Sequence, residues 1–374
     1  MNTNIVLEKF DTTATNTNGE FTISSIPASL KSILFPYKDD SIYNGISTAD
    51  MIIIRKHILQ IEMMTSPYKY IAADANNDRK VSTADLVLLN KIILRIDSTF
   101  SKNKIWRFVP ANYVFKNTDN PLLDTIPEFL SINDFNKTAN LNFIGIKTGD
   151  VNNSVKLNFA SDFVDRSIAP LSIENFTFKK GETIRIPIYF KDIENINGFQ
   201  FGFKFENLAF KSIVPVSLEI EKSNYNIIDN QLIINWFEDI ESSDNPLFFI
   251  DCEAINNSTL KQSFSLSSQY FSPELYSSNS TENIQIQWIE KVNNIGNLFP
   301  NPCSNNLFIP ISSKENRIAQ IELFTLDGRL ITAKSSHIAV GNSTLNLSDI
   351  LPTLTSGVYL LVIDKKTIRK FVKL

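Results

Sequence analysis

Cysteine and histidine are scarce in this chain of 374 residues, and glycine is thin. Its two cysteines, Cys252 and Cys303, lie far apart. Two thiols so placed make no disulfide framework and leave the redox compartment open. The two histidines, His57 and His337, fall in unrelated parts of the chain, which disfavours a histidine-rich zinc site and a Ser-His-Asp arrangement. Phosphate-loop and dinucleotide fingerprints are missing. No apolar run reaches the length of a membrane-crossing helix. Charge of a single sign is missing as well, with 36 basic against 40 acidic residues. That balance gives no reason to expect nucleic acid or an anionic membrane as partner. The opening MNTNIVLEKFDTTATNTNGEF lacks the basic start and apolar core of a signal peptide. The chain is read as non-catalytic.

Phenylalanine, by contrast, occurs 28 times, and Ile, Ser, Thr and Asn recur throughout. This composition leans toward β-structure with polar turns. The length allows two or three domains of ordinary size. The expected fold class is multidomain and mainly β, with a small α-helical EF-hand-like pair followed by two β-sandwiches.

The strongest internal signal is a repeat. Residues 46–59 read ISTADMIIIRKHIL and residues 81–94 read VSTADLVLLNKIIL. Ser47 and Ser82 are suited to cap helices, with Asp50 and Asp85 three positions later. Before the second copy, Asp74, Asn76, Asp78, Lys80, Ser82 and Asp85 stand at positions one, three, five, seven, nine and twelve of a loop. That is calcium-loop spacing: alternate residues of a tight loop turn their oxygens inward, position seven offers a carbonyl, and a carboxylate at twelve closes the shell. Position six is Arg79 rather than Gly, and a left-handed backbone there costs on the order of 1 kcal/mol. The other reading is an Asx-rich solvated loop without metal. Counting back from Asp50 gives a poorer first loop, with Asp39, Ser41, Tyr43 and Ser47 at one, three, five and nine. Tyr43 is no natural calcium ligand, so an external oxygen, from Asp150 or Asn152 in IKTGDVNNS, is a candidate to complete it.

Paired loops of this form, each followed by a helix ending in Ile-Leu, resemble a type I dockerin. The phrases SPYKYIAADANNDRKVSTADLVLLNKIILRID, IWRFVPANYVF and FIGIKTGDVN resemble a dockerin-like variant of large bacterial surface proteins. The resemblance covers about residues 36–155. It implies bound Ca²⁺ and a helix face that meets a cohesin. Residues 100–148 are an insertion relative to an ordinary dockerin. Its Trp106, Phe108, Tyr113 and Phe115 are expected to pack over the helices.

Residues 156–292 alternate apolar and polar positions in short runs, as a β-sandwich does. Ile184, Ile186 and Ile188 share one side, as do Phe199, Phe201 and Phe203, and Asn195 to Gly198 reads as a turn. The Gly-Glu-Thr start, the Gly-Phe-Gln-Phe strand and the Asn-Trp strand resemble a cohesin or a carbohydrate-binding sandwich. Trp236 and Trp288 are read as core rather than as a sugar platform. Such a helical module and sandwich could bind each other, within or between chains, or stack as spacers.

The last segment, residues 297–374, holds Pro300-Asn301-Pro302, a hairpin at Asp327-Gly328-Arg329, Gly357-Val358-Tyr359 and a basic final strand with Lys370 and Lys373. These pieces closely resemble the type A C-terminal sorting domain of type IX secretion substrates. That resemblance implies handling by the type IX machinery, removal of the domain, and a secreted or outer-surface location. Since that route takes periplasmic cargo, a signal peptide is expected upstream. Residues 1–35 resemble the last strands of an Ig-like or carboxypeptidase-regulatory-like module, so the chain is expected to be part of a longer protein. The expected function is adhesion or assembly, with cohesin, dockerin or polysaccharide as possible partners. The alternative is the accessory tail of a polysaccharide-degrading enzyme.

Overall fold

The two Ser-Thr-Ala-Asp copies start the two principal helices of the computed structural model. Helix α1 spans Thr48–Ile58, a short α2 spans Pro67–Ala73, and α3 spans Thr83–Ile93. Ser47 and Ser82 hold extended backbone at the cap, and capping boxes with Asp50 and Asp85 close both first turns. The inward residues Met51, Ile54, Ile71, Leu89, Ile92 and Val151 build a common core. The structure describes residues 3–117, 120–133, 141–157, 166–190, 195–241, 245–278, 280–290, 294–313 and 315–374.

Strands β1 (Asn4–Leu7), β2 (Asp11–Ala14) and β3 (Ser32–Tyr37) precede the helices. The insertion after α3 supplies β4 (Trp106–Pro110), β5 (Leu130–Ile132) and β6 (Phe143–Lys147). β4 pairs with β6, while β5 joins the N-terminal strands in the order β2-β1-β3-β5. The first 35 residues therefore share a sheet with the insertion, across the boundary expected at residue 35. Trp106 and Phe108 are buried, and Tyr113 and Phe115 pack on the helical core, where Phe115 meets Tyr68 edge-on.

The sandwich is built from β7 (Ile168–Asn175), β8 (Thr177–Phe178), β9 (Thr183–Ile188), β10 (Ile196–Phe205), β11 (Leu208–Pro215), β12 (Tyr225–Ile228), β13 (Gln231–Trp236), β14 (Phe248–Ala254), β15 (Ser258–Thr259), β16 (Phe264–Ser267), β17 (Glu274–Ser277) and β18 (Thr281–Glu290). Its larger sheet runs β12-β13-β10-β17-β18-β7, with β16 also on β10, and the second runs β11-β14-β9. Phe199, Phe201 and Phe203 are fully buried on one side of β10, and Ile184, Ile186 and Ile188 on one side of β9. The turn expected at 195–198 is replaced by strand from Ile196 onward, and Asn195 before it takes a left-handed φ of 57°.

Strands β19 (Asn294–Ile295), β20 (Phe308–Ser313), β21 (Arg317–Thr325), β22 (Leu330–Ile338), β23 (Gly341–Asn346), β24 (Gly357–Ile363) and β25 (Thr367–Lys373) complete the chain. They form sheets β19-β20-β23 and β22-β21-β24-β25 around a core that includes Leu307, Ile321, Leu361 and Phe371. Two compact units result. One holds Met1–Ser172, Lys179–Asn256 and Gln262–Gln287; the other holds Ile173–Phe178, Asn257–Lys261 and Trp288–Leu374. The helices and most of the sandwich thus lie in a single unit.

Candidate functional site

The loop before α3 is organised by two buried carboxylates. Asp74 accepts the N–H of Asp78 at 3.0 Å on Oδ1 and that of Arg79 at 3.0 Å on Oδ2. Asn76 Oδ1 accepts the N–H of Asp78 at 2.9 Å. Asp85 accepts Asn76 N–H at 3.1 Å on one oxygen and Ser82 N–H at 2.9 Å on the other. Lys80 donates its main-chain N–H to Asp78 Oδ1 at 3.0 Å. Arg79 takes the left-handed φ of 70° that position six demands. Its guanidinium donates to the carbonyls of Leu122 and Asp124, so contacts with the insertion offset the strain.

The same pattern recurs around α1, from a discontinuous stretch of chain. Asp150 accepts Ser154 N–H at 2.9 Å on Oδ1 and Val155 N–H at 2.9 Å on Oδ2, and Asn152 Oδ1 accepts Ser154 N–H. Asp50 accepts Asn152 N–H at 3.1 Å on one oxygen and Ser47 N–H at 2.9 Å on the other. Asp150, Asn152, Ser154, Ser47 and Asp50 thereby occupy the places of Asp74, Asn76, Asp78, Ser82 and Asp85. The halves meet because Asn44 exchanges two hydrogen bonds with the main chain of Lys156. Gly45 lets them approach: a Cβ there would lie 2.8 Å from Val155 Cβ.

Asp39 and Ser41 stand outside this arrangement. Asp39 is exposed and accepts the Tyr37 hydroxyl, and the Ser41 carbonyl accepts buried Lys147. Tyr43 instead stacks under the guanidinium of Arg95, 3.4 Å from its ring centre.

Burial and the charge of Asp150 push Asp50 up to about 7. Burial, with Asp85 and Asp78 adding to it, pushes Asp74 up to about 6. Among the described residues no three His, Cys, Asp or Glu side chains gather as a metal-holding group; in both loops carboxylates are turned onto main-chain N–H groups. The available donors are carboxylate, amide, hydroxyl and carbonyl oxygens, the set a hard cation takes. The like charges raising these carboxylates also suit a cation.

The second feature is the outer face of β10 and β13. Their register sets Phe199 opposite Trp236, Gln200 opposite Asn235 and Phe201 opposite Ile234. The phenylalanines face the sandwich core, so Gln200 and Asn235 point out of it. Both are nevertheless buried, because α1 and α3 cover them. Thr48 donates its N–H to Gln200 Oε1 at 2.9 Å, and its hydroxyl bonds Asn235 Oδ1. Asn235 Nδ2 donates to Asn90 Oδ1 at 2.7 Å. Asn90 donates to the Ser223 carbonyl, Asn226 to the Leu94 carbonyl, and Arg95 to the Tyr270 carbonyl. Arg55 pairs with Asp239 at 3.2 Å. These amides and Gly198 carried no local signal beyond polar and small residues alternating with phenylalanine. Trp236 and Trp288, expected in the core, are only half-buried, and the Trp236 indole donates to the Glu238 carbonyl.

In the C-terminal unit the basic strand β25 lies at a sheet edge beside β24. Asn301 binds that edge twice, donating to the Lys370 carbonyl at 3.2 Å and accepting Val372 N–H at 2.9 Å. The Asp327-Gly328 turn is closed by Gly328 N–H to the Thr325 carbonyl.

Part of the chain is similar to several solved structures. A type I cohesin–dockerin complex from Clostridium thermocellum contains a chain 14% identical, covering 35% of this chain and 99% of that one, with TM-score 0.27. A non-cellulosomal cohesin from Archaeoglobus fulgidus is 18% identical, covering 33% and 86%, with TM-score 0.24. The seventh ScaB type I cohesin from Pseudobacteroides cellulosolvens is 10% identical, covering 33% and 88%, with TM-score 0.25. No curated protein matches the chain. Residues 297–374 match the family described as secretion system C-terminal sorting domain, so the chain ends in a sorting domain of the type IX route and is a secreted or cell-surface protein.

Proposed function

We propose that the chain is a non-catalytic adhesion or assembly segment of an exported surface protein, in which Ca²⁺ sets a dockerin-like helical pair. One ion is held by Asp74, Asn76, Asp78, the Lys80 carbonyl and Asp85, with Ser82 beside it. The other is held by Asp150, Asn152, Ser154 and Asp50, with Ser47 beside it. The observation that carries this reading is the matching hydrogen-bond arrangement of the two loops, one continuous and one assembled from distant segments. Bound calcium would neutralise carboxylates that burial and mutual repulsion now hold above their ordinary range. Asp50 and Asp85 sit in the first turns of α1 and α3, so each ion would fix where a helix starts.

Scanning calorimetry of the whole chain with calcium or with chelator tests the proposal. Each site should add about 2.7 kcal/mol when free calcium is a hundred times Kd. An unfolding profile indifferent to calcium would overturn it.

A further inference from the structure

We propose that a cavity beside the split loop binds an acidic oligosaccharide through a carboxylate, with Arg95 as the receiving group. The cavity has a volume of about 1120 Å³ and is lined from the turn before α1, the end of α3 and the strands β17 and β18. All of these belong to one compact unit. Small-molecule pockets run to about 300–1,000 Å³, so this one admits several sugar rings. The inference does not rest on bound calcium.

Arg95 is the feature that asks for an anion. It follows α3 with a left-handed φ of 57°, and its guanidinium lies 3.4 Å from the ring centre of Tyr43 and 5.7 Å from that of Tyr270. Nη2 donates to the Tyr270 carbonyl, while Nε and Nη1 are buried and have no acceptor. Among the described residues no carboxylate pairs with Arg95. A buried charge without a counter-ion is costly. A carboxylate answers the lack best, since its two oxygens match two N–H groups of a guanidinium. Binding requires the guanidinium to turn from the face of Tyr43 into the cavity. Among the described residues of the lining the single acid is Glu274, and its charge is already met. One of its oxygens accepts the Tyr276 hydroxyl at 2.6 Å and the other accepts Arg166. Thr281 and Asn283 add a hydroxyl and an amide, groups that meet sugar hydroxyls. β17 and β18 are paired on both sides, so a peptide cannot join them as a further strand.

Isothermal titration of the whole chain at fixed free calcium compares trigalacturonic acid with its fully methyl-esterified form, which keeps the rings and loses the charge. The acid should bind one to one and about 10- to 100-fold more tightly. Arg95→Gln should bring the two to similar affinity, and Arg95→Lys should restore only part of the difference, because lysine lacks the fork. In the unaltered chain the acid, and not the ester, should change the near-ultraviolet circular dichroism of tyrosine as the guanidinium leaves Tyr43. Absence of binding by the acid, equal affinities for acid and ester, the same preference in folded Arg95→Gln, or tighter binding of tri-glutamate would overturn the inference. Should Arg95→Gln unfold, the comparison of acid and ester on the unaltered chain decides alone.

Discussion

The carboxylate of Asp50 accepts the main-chain N–H of Val151 at 2.9 Å, across a sequence separation of 101 residues. This bond and its neighbour from Asn152 convert an incomplete loop into a copy of the complete one. They also tie the chain just after β6 to the start of α1. The helix turn that carries Asp50 carries Thr48 as well, so the split loop and the covered sheet face share one turn of backbone.

Stability without calcium should depend on pH with a definite sign. Asp50 at about 7 and Asp74 at about 6 lie above the ordinary carboxylate value. Their contribution is complete at pH below about 4 and is lost as pH rises through about 6 to 7. Calcium takes the place of the protons, so its effect grows in the opposite direction. In chelator, the melting temperature should fall between pH 5 and pH 8, and the rise on adding calcium should be larger at pH 8. Equal calcium shifts at both pH values would contradict this.

Gly198→Val should loosen the covered face. The new Cβ would meet the Trp236 carbonyl oxygen at 2.5 Å and Ile52 at 3.1 Å. Strain of this kind costs about 1–3 kcal/mol. Gly202→Ala on the same strand meets nothing closer than 3.4 Å and should cost far less. Denaturant midpoints of the two variants give the comparison.

Replacing Arg79 by Gly relieves a left-handed backbone but removes the donors that hold the carbonyls of Leu122 and Asp124. Charge-assisted bonds to carbonyls outweigh about 1 kcal/mol of backbone strain. Arg79→Gly should therefore lower stability by about 1–2 kcal/mol. A gain in thermal stability would show that the strain dominates.

Both thiols should be silent in the native chain. Burial pushes Cys252 up to about 12 and raises Cys303 above its ordinary value. A thiol reagent at pH 8 should label neither until denaturant is added, and then both.

Asn301→Ala should weaken the C-terminal unit by about 1–2 kcal/mol, since it removes two hydrogen bonds to the edge of β25. Thermal unfolding followed on that unit is the readout.

Much of this was legible in the chain. Ser47 and Ser82 cap helices as their Ser-Thr-Ala-Asp context suggests, and the phenylalanines of β10 alternate as a core strand requires. The spacing from Asp74 to Asp85 is local, so counting along the sequence reaches residues that share one hydrogen-bonded loop. The split loop defeats counting. Position one measured back from Asp50 falls on Asp39, but that residue turns to Tyr37, and the place is taken by Asp150. Only the return of residues 150–156 against Gly45 makes Asp150 a neighbour of α1. Alternation likewise shows that Gln200 and Asn235 leave the sandwich core, but it says nothing of what covers them. Small residues at Gly198 and Gly202, alternating with phenylalanine, were the available hint of a second packed face. Pairing between distant strands is equally silent in the sequence: β5, from residues 130–132, extends the N-terminal sheet beside β3.

Calorimetric titration of the whole chain with Ca²⁺ tests the central claim most directly. The account predicts two ions bound per chain, one lost in Asp74→Ala, one lost in Asp150→Ala, and both kept in Asp39→Ala. Absence of binding, or loss of a site in Asp39→Ala with none lost in Asp150→Ala, would contradict it.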